Sequence, residues 1–275
     1  MMKKISSILF VLILMTVVST SCGKDEPVNP AETFTVNGVT FKMVAIEGGT
    51  FTMGMTAEQE SDAFDVERPA HEVTLSSYFI GQTEVTQALW QAVMGSNPSY
   101  FSSSNSRNNY DTNLQRPVEF VSWNDCQTFI TKLNQLTGKT FRLPTEAEWE
   151  FAARGGNRSL GYKYSGSNNL DDVAWYWFNI PSRNEEYGTT QTVATKAPNE
   201  LGLYDMSGNV FEWCQDRYGS YSSDAQTNPV GPSTGYGRVF RGGSWYNHAY
   251  SCRVSLRAGY DPTRKADCIG LRLAL

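Results

Sequence analysis

The stretch "FRLPTEAEWEFAARGG", residues 141–156, carries the clearest local structural signals in the chain. Thr145 and Glu148 have the spacing of a capping box, in which each side chain bonds the other residue's backbone N–H. Gly155 supplies the left-handed conformation on which helices commonly end. The sequence therefore predicts a short, capped helix, and its inward face is Trp149, Ala152 and Ala153.

The charges on this helix suggest a polar outer side. Glu150 and Arg154 are four residues apart and are predicted to pair on the helix surface. The glutamates Glu146, Glu148 and Glu150 are predicted to form the solvated face of the helix.

Two further helices have recognisable ends. One is predicted at residues 85–94, with Gly95 as its stop. The other begins at Ser122, which Asp125 complements in a box-like cap, and ends at Gly138. The apolar stripe of this second helix is predicted to be Trp123, Cys126, Phe129, Leu133 and Leu136.

Alternating apolar and polar residues indicate strands before the first helix. Residues 34–54, "FTVNGVTFKMVAIEGGTFTMG", turn at Asn37-Gly38 and at Gly48-Gly49, which predicts hairpins. Residues 71–80, "HEVTLSSYFI", are predicted to form one more strand. After Gly156 the chain is mostly loop, broken by short aromatic runs. We therefore expect one loop-rich α+β domain over residues 34–275.

The N-terminus has the pattern of a targeting segment. Lys3 and Lys4 precede an apolar run at residues 8–18, which is shorter than the roughly 20 residues needed to span a bilayer. Residues 1–21 are therefore predicted to be a signal peptide that is removed from the mature protein.

The residues around Cys22 resemble a loose bacterial lipobox. This resemblance implies cleavage before Cys22 and lipidation of its sulfur, which would attach the protein to the membrane. The alternative is an ordinary secretory signal followed by an incidental cysteine. Residues 22–33 are polar, contain two prolines and are predicted to be a tether. We expect an outer-membrane lipoprotein of a bacterial envelope, either periplasmic or surface-exposed.

Composition excludes several functions. The formal net charge is −5 and no run of Lys or Arg stands out, so nucleic acid is not an expected partner. The only histidines are His71 and His248, and no glycine-rich phosphate loop or GxSxG nucleophile motif occurs. Four cysteines follow Cys22, and no two of them form a CxxC pair: Cys126, Cys214, Cys252 and Cys268. Outside the cytoplasm, four cysteines favour disulfides and allow three possible pairings.

The order of the motifs along the chain resembles that of the formylglycine-generating enzymes, or sulfatase-modifying factors. The resemblance implies a loop-rich α+β fold related to C-type lectins. In those enzymes two cysteines hold a copper(I) ion, oxygen is activated there, and a client sulfatase cysteine becomes formylglycine. The matching segments are 48–54, 67–75, 83–90, 116–126, 141–156, 199–216, "RGGSW" at 241–245 and "IGLRLA" at 269–274.

The resemblance places a family pocket at residues 244–252. Ser244, Trp245, His248 and Cys252 fall on pocket positions, while Asn247 falls on the position of the first catalytic cysteine. Copper(I) prefers soft thiolates, and an amide oxygen is a hard, weak ligand. Copper is therefore not expected, and Cys252 is the one candidate catalytic residue left.

The resemblance also implies a structural calcium ion. The family's ligands map onto the side chains of Asp205 and Glu212 and the carbonyls of Gly208 and Val210. Calcium prefers such a mixture of carboxylate and carbonyl oxygens.

A disulfide is the second structural expectation drawn from the family. Cys214 and Cys252 lie in segments that flank the family pocket, so we expect a Cys214–Cys252 bridge. It would leave Cys126 and Cys268 as a second bridge or as two buried thiols.

These observations favour an envelope lipoprotein that keeps the family fold without its copper chemistry and binds a protein or glycan in the retained pocket. Tryptophan and tyrosine in the loops suit such ligands, although most of these rings are expected to fill the core. One alternative is a copper- and oxygen-dependent oxidase that uses Cys252 to modify a client cysteine. Another is an accessory subunit of a surface assembly.

Overall fold

The structure is a computed structural model that describes residues 29–102, 113–181 and 188–275. The predicted signal peptide, the lipidation site Cys22 and most of the predicted tether lie outside the described residues. Within them the chain forms three small sheets and four α-helices joined by long loops. The α+β, loop-rich prediction is therefore confirmed. No helix of the described part is long and apolar enough to cross a membrane.

The strands are β1 (Ala31–Val36), β2 (Val39–Ile46), β3 (Gly49–Met53), β4 (His71–Leu75), β5 (Tyr78–Gly81), β6 (Phe211–Arg217), β7 (Gln226–Thr227), β8 (Arg238–Arg241), β9 (Arg257–Tyr260) and β10 (Ile269–Leu271). They form sheets in the orders β1-β2-β5, β3-β4-β7 and β10-β6-β8-β9. The helices are α1 (Gln87–Met94), α2 (Trp123–Thr137), α3 (Glu146–Ala153) and α4 (Leu170–Val173).

The hairpin predicted at Asn37-Gly38 is confirmed. Both residues have positive φ, 48° and 83°, as a two-residue turn of this type requires. Strand β1 starts at Ala31, which pairs with Val44. The first residues of β1 therefore lie inside segment 22–33, which the sequence predicts to be a tether.

The other strand predictions need correction. Gly48-Gly49 does not close a hairpin, because β2 pairs with β5 while β3 pairs with β4 in another sheet. The single strand predicted at 71–80 is split into β4 and β5 at Ser76-Ser77. The Ser76 N–H bonds the Asn228 side chain, and the Ser77 hydroxyl accepts the Gly48 N–H. At Ser76-Ser77, where the chain passes from one sheet to another, these bonds take the place of β-sheet hydrogen bonds.

The helix ends agree well with the sequence. Ser122 and Asp125 form the reciprocal box that starts α2, and Gly138 ends it with φ 67°. Helix α1 starts at Gln87 because the Thr86 hydroxyl accepts the Leu89 N–H. One stripe residue is wrong: Leu136 is 51% exposed.

The core consists of two large hydrophobic clusters. In one, α1 and α2 pack together through stacked Trp90 and Phe129 rings, 4.7 Å apart. The other surrounds α3, whose Trp149 is fully buried against residues of β6 and β8. The loop-rich half of the chain is thus fastened to α3 and to the β10-β6-β8-β9 sheet.

The predicted solvated face of α3 is wrong, because all three glutamates are buried. Glu146 pairs with Arg257 at 2.7 Å, Glu148 with Arg142 at 2.6 Å, and Glu150 with both Arg154 and Arg241. The expected Glu150–Arg154 pair is confirmed at 2.9 Å. Two of these arginines are close in sequence and two arrive from distant segments, 91 and 111 residues away, so α3 is buried by charge pairing as well as by apolar packing. The full set of partners is Arg142, Arg154, Arg241 and Arg257.

Candidate functional site

The pocket segment starts from a fixed point at Arg241. Its buried guanidinium pairs with Glu150 and donates to the Ser255 carbonyl at 2.7 Å. Gly242 and Gly243 follow with φ 96° and 74°. A Cβ on Gly243 would lie 2.8 Å from the Cys252 sulfur, so glycine lets the two ends of the segment close on each other.

Trp245 anchors the middle of the segment. Its backbone N–H donates to the Asn209 carbonyl at 2.8 Å, and its indole N–H donates to the Asp267 carbonyl at 3.0 Å. The side chain is 3% exposed. Trp245 is therefore a core residue that positions its neighbours.

Asn247 is part of a hydrogen-bonded turn. Its side-chain oxygen accepts a bond from the Ser244 hydroxyl, and its N–H donates to the Ser244 carbonyl at 3.0 Å. Its own carbonyl accepts the Trp177 N–H at 3.0 Å. Asn247 thus connects the segment 241–252 to the loop that carries Trp177.

Cys252 is a fully buried thiol. The Ser244 N–H bonds its sulfur, and its thiol approaches the His248 carbonyl at 3.9 Å. Burial raises the pKa of the Cys252 thiol to about 12, whereas reactive and metal-binding cysteines need a lowered pKa. With Asn247 as neighbour, this donor set does not fit a two-thiolate copper(I) ion.

Cys268 is a site residue that the sequence analysis missed. The Ser244 hydroxyl hydrogen bonds to its thiol, and burial together with the charge of Asp267 raises the pKa of that thiol to about 12. Ser244 therefore contacts one thiol through its backbone and another through its side chain. Cys268 lies in sequence next to "IGLRLA", and nothing in that motif points toward Ser244.

The expected Cys214–Cys252 bridge is not formed. All four cysteines of the described chain, Cys126, Cys214, Cys252 and Cys268, are free thiols. Cys214, on β6, packs in the cluster around α3, while Cys252 packs in a separate small cluster with Tyr164 and Leu170. Different core layers hold the two side chains, which is why the shared pocket neighbourhood did not bring the sulfurs together.

His248 lies outside the buried pocket. Its ring is exposed and contacts Phe178 at 5.2 Å and Tyr250 at 6.0 Å between centroids. Only its backbone carbonyl approaches Cys252. The structure therefore joins His248 to surface aromatic residues and not to the thiol.

These surface rings form one continuous patch, which we call the aromatic face. Trp177 and Tyr246 meet edge to face at 5.3 Å, and Phe64 meets Tyr250 at 5.9 Å. The five large rings are between 42% and 70% exposed, and the histidine is exposed as well. The aromatic face consists of Phe64, Trp177, Phe178, Tyr246, His248 and Tyr250.

The sequence signals for this face were weak because its members come from three separate segments. "WYWF" at 175–178 and "WYNHAY" at 245–250 are each aromatic, but buried Trp245 and exposed Tyr246 are adjacent and look alike in sequence. Only the fold distinguishes core rings from surface rings. Contiguous exposed apolar surface of this kind commonly marks a binding site.

The predicted calcium ligands fit a cation in part. Asp205 is buried; one side-chain oxygen accepts the Ala194 N–H at 2.7 Å and the other has no partner. Glu212 is committed elsewhere, since both of its oxygens accept bonds from Arg272 and one also accepts the Trp149 indole N–H. In the described chain no three His, Cys, Asp or Glu side chains are grouped to hold a metal.

Glu84 adds a third carboxyl group that the sequence analysis missed. It accepts bonds from the Asn209 side chain at 2.8 Å and from the Val210 N–H at 3.1 Å. Burial, followed by the charges of Asp205 and Glu212, raises the pKa of Glu84 well above its usual value. The buried carboxyl groups of Glu84, Asp205 and Glu212 therefore all lie near one guanidinium, that of Arg272.

These features define the class of protein: a loop-rich α+β domain built like the formylglycine-generating enzymes, with buried ion pairs supporting the pocket segment. Residues 30–275 match the family described as the sulfatase-modifying factor enzyme 1-like domain. The chain belongs to that family.

Relatives in this family differ in what their names state. The chaperone protein LppX of Paenibacillus barcinonensis is 32% identical, over 84% of this chain and 88% of that protein. The formylglycine-generating enzyme of Streptomyces coelicolor is also 32% identical, with the same coverage of both chains. Among solved structures, Treponema denticola variable protein 1 is 35% identical with a TM-score of 0.77, covering 89% of this chain and 98% of that chain.

Proposed function

We propose that the protein is a lipid-anchored envelope protein that binds a protein or glycan ligand on its aromatic face and does not perform copper-dependent oxidation. The observation that carries the proposal is the exposure of five large aromatic rings around Asn247. Trp177, Phe178 and Tyr246 are 42%, 70% and 53% exposed. Aromatic anchors of this size supply much of the energy of protein interfaces and also stack on other flat ligands.

The donor atoms near Asn247 support the absence of oxidase chemistry. A two-thiolate copper(I) site needs two accessible, deprotonated sulfurs. Here Asn247 is an amide engaged with Ser244, and burial raises the pKa of both thiols beside Ser244, Cys252 and Cys268, to about 12.

Binding is tested with the full-length, detergent-solubilised protein on arrays of glycans and of envelope proteins from the same bacterial class. The informative variant combines Trp177→Ala with Tyr246→Ala. Leu160→Ala is the matched control, since Leu160 is 66% exposed and lies outside the aromatic face. We expect the double variant to lose about 2 kcal/mol or more of binding free energy, roughly 30-fold in affinity. A ligand that all three proteins bind equally well would place recognition elsewhere.

Oxidase activity is tested with a sulfatase-derived cysteine peptide, copper and oxygen. We expect no aldehyde product above a control that contains copper without protein. An aldehyde formed by the wild type and lost in Cys252→Ser would favour the oxidase alternative.

The membrane anchor is supported by the lipobox-like sequence before Cys22. Mass spectrometry of the membrane fraction should detect an acylated N-terminal Cys22. An unmodified mature N-terminus at another residue would remove this part of the proposal and leave the ligand-binding part unaffected.

A further inference from the structure

The sheet β10-β6-β8-β9 holds two like charges directly opposite each other. Arg217 of β6 pairs in register with Arg238 of β8, and Arg238 pairs with Tyr260 of β9. Directly opposed residues of an antiparallel pair lie on the same side of the sheet, and like charges there are destabilising. The fold therefore keeps two cations side by side at a cost in stability.

In the described part of the chain these cations have no carboxylate in direct ion-pair contact. Within residues 29–102, 113–181 and 188–275, the ion pairs do not include Arg217, Arg238 or Arg264. Arg217 donates to the Gly235 carbonyl, and Arg238 donates to a carbonyl and lies 3.9 Å above the Trp123 ring. Burial and then the charge of Arg217 lower the pKa of Arg238. The result is local positive charge on a chain of net charge −5.

Arg264 adds a third cation beside Tyr260, the β9 residue that opposes Arg238. It lies over the Tyr260 ring at 5.2 Å and donates to the Tyr260 hydroxyl at 3.0 Å. Tyr236 is 83% exposed, and its hydroxyl donates to Asp261 at 2.8 Å. An open pocket of about 580 Å³ lies between Tyr218, Tyr236, Tyr260, Asp261 and Arg264.

A glycine allows the rings to line this pocket. A Cβ on Gly259 would collide with the ring of Tyr218, so the absence of a side chain lets that ring lie flat on β9. Tyr218 is partly buried against the cluster around α3, and Tyr260 meets Phe240 edge to face at 6.1 Å, so both rings are held in place at the rim of this pocket.

The nearby carboxylates are already engaged. Asp261 accepts bonds from the Thr263 backbone N–H and hydroxyl as well as from Tyr236. Asp125 pairs with Lys265 at 2.8 Å and caps α2. Asp216 attracts Arg238 and Asp261 attracts Arg264 without direct ion-pair contact. Each of the three arginines donates to one neutral acceptor, which leaves guanidinium N–H groups for a ligand from outside.

We propose that this surface, which we call the basic face, binds an acidic oligosaccharide; it consists of Arg217, Tyr236, Arg238, Tyr260 and Arg264. Guanidinium groups bind carboxylates through paired, charge-assisted hydrogen bonds. Tyrosine rings stack on the apolar side of a sugar. A nucleic acid would call for a longer row of cations than the three found here. The basic face shares no residue with the aromatic face, so the two proposals stand independently.

The test is a calorimetric titration of the full-length protein in detergent with tetragalacturonate and, as a neutral counterpart, maltotetraose. We expect binding of the acidic sugar alone, weakening as salt is added. Arg217→Gln and Arg264→Gln should each reduce affinity about tenfold, the effect of losing one charge-assisted hydrogen bond. Lys139→Gln removes the same charge at the far end of α2, where Lys139 lies over Phe34, and should leave affinity unchanged.

A second readout separates binding from folding. Arg217→Gln removes the like-charge pair, so its melting temperature in the absence of sugar should equal or exceed that of the wild type while its affinity falls. Failure of the wild type to bind tetragalacturonate, equal binding of maltotetraose, or unchanged affinity in both arginine variants would each overturn the proposal. So would preferential binding of a glutamate-rich peptide or of anionic phospholipid vesicles.

Discussion

Asn247 determines which chemistry the pocket segment supports. The family resemblance predicts a thiolate at this position, whereas the Asn247 amide accepts from Ser244 and its carbonyl accepts from Trp177. These bonds fasten the segment 241–252 to the loop that supplies Trp177 and Phe178. Asn247 thus joins two loops that carry exposed aromatic residues.

Replacing Asn247 with cysteine tests whether the family geometry persists. Because Cys252 is a free thiol, Asn247→Cys would place two sulfurs on the family positions. We expect copper(I) affinity to increase by at least tenfold in competition with a chelator, since thiolates are the preferred ligands. Asn247→Ser is the control, and equal copper affinity of the two variants would show that the pocket has lost the enzyme's geometry.

Asp216 offers a pH-dependent test of a buried carboxyl group. Burial, then the charge of Glu146, raises its pKa from 3.8 to about 7, and Glu148 and Arg257 also face it. The folded state therefore binds the proton more tightly than the unfolded state. Its contribution to stability is lost as the pH rises from about 4 through about 7, by up to about 4 kcal/mol.

Asp216→Asn should remove this loss. The amide oxygen can still accept the Glu146 N–H that Asp216 accepts at 2.8 Å. In denaturant titrations the variant should therefore gain stability relative to the wild type as the pH rises from 4 to 8, within about the range of that shift. Asp224→Asn, at an exposed carboxylate, is the matched control. Parallel pH profiles for wild type and Asp216→Asn would contradict the assignment.

Helix α3 shows how one element organises the distant parts of the fold. Its cap and ends follow local rules, but its three glutamates meet arginines that lie up to 111 residues away along the chain, as Arg257 does from Glu146. Arg241, the first residue of "RGGSW", is bound to Glu150, so the pocket segment is positioned by α3. The family motifs at residues 141–156 and 241–245 thus supply the acidic and the basic partner of a buried ion pair.

Removing one half of such a pair should be costly. Glu150→Ala leaves the fully buried Arg241 without its main counter-ion and the Gly54 N–H without its acceptor. We expect a loss of about 3–5 kcal/mol in unfolding free energy. Lys265→Ala breaks the exposed pair with Asp125 and should cost less than about 1 kcal/mol. Similar losses for both variants would show that burial of the α3 pairs is not decisive.

Across the whole molecule, buried charge compensates for the small amount of regular structure. Long loops are ordered by ion pairs such as Glu67 with Arg253 and Glu212 with Arg272. Around the Glu212–Arg272 pair the carboxyl groups outnumber the guanidinium, because Glu84 and Asp205 also lie near Arg272. We therefore propose that calcium binds at the unpartnered oxygen of Asp205, together with the carbonyls of Gly208 and Val210.

Calcium should raise the melting temperature of the chelator-treated protein by an amount set by its concentration relative to its dissociation constant. Asp205→Asn should abolish this increase, because the amide keeps an acceptor for the Ala194 N–H but loses the negative charge. Magnesium serves as the ionic control, since it prefers a smaller, octahedral site. No shift in the wild type after thorough chelation would reject the calcium site.

The sequence by itself determined the local structure and the family. Caps at Ser122 and Thr145, the Asn37-Gly38 turn and the stops at Gly95 and Gly138 are set by hydrogen bonds and φ angles within a few residues. The family motifs followed from the same residues. Each of these depends on short-range chemistry that the order of residues specifies directly.

Only the tertiary structure decided which side chains are buried and which distant residues are in contact. Glu146 and Glu150 looked solvated because Arg257 and Arg241 lie 111 and 91 residues away along the chain. The 71–80 strand looked continuous because its two halves belong to different sheets. Cys214 and Cys252 lie in separate core layers, although both flank the same segment. The aromatic and basic faces gather residues from several segments, and such long-range proximity is set by packing of the whole chain.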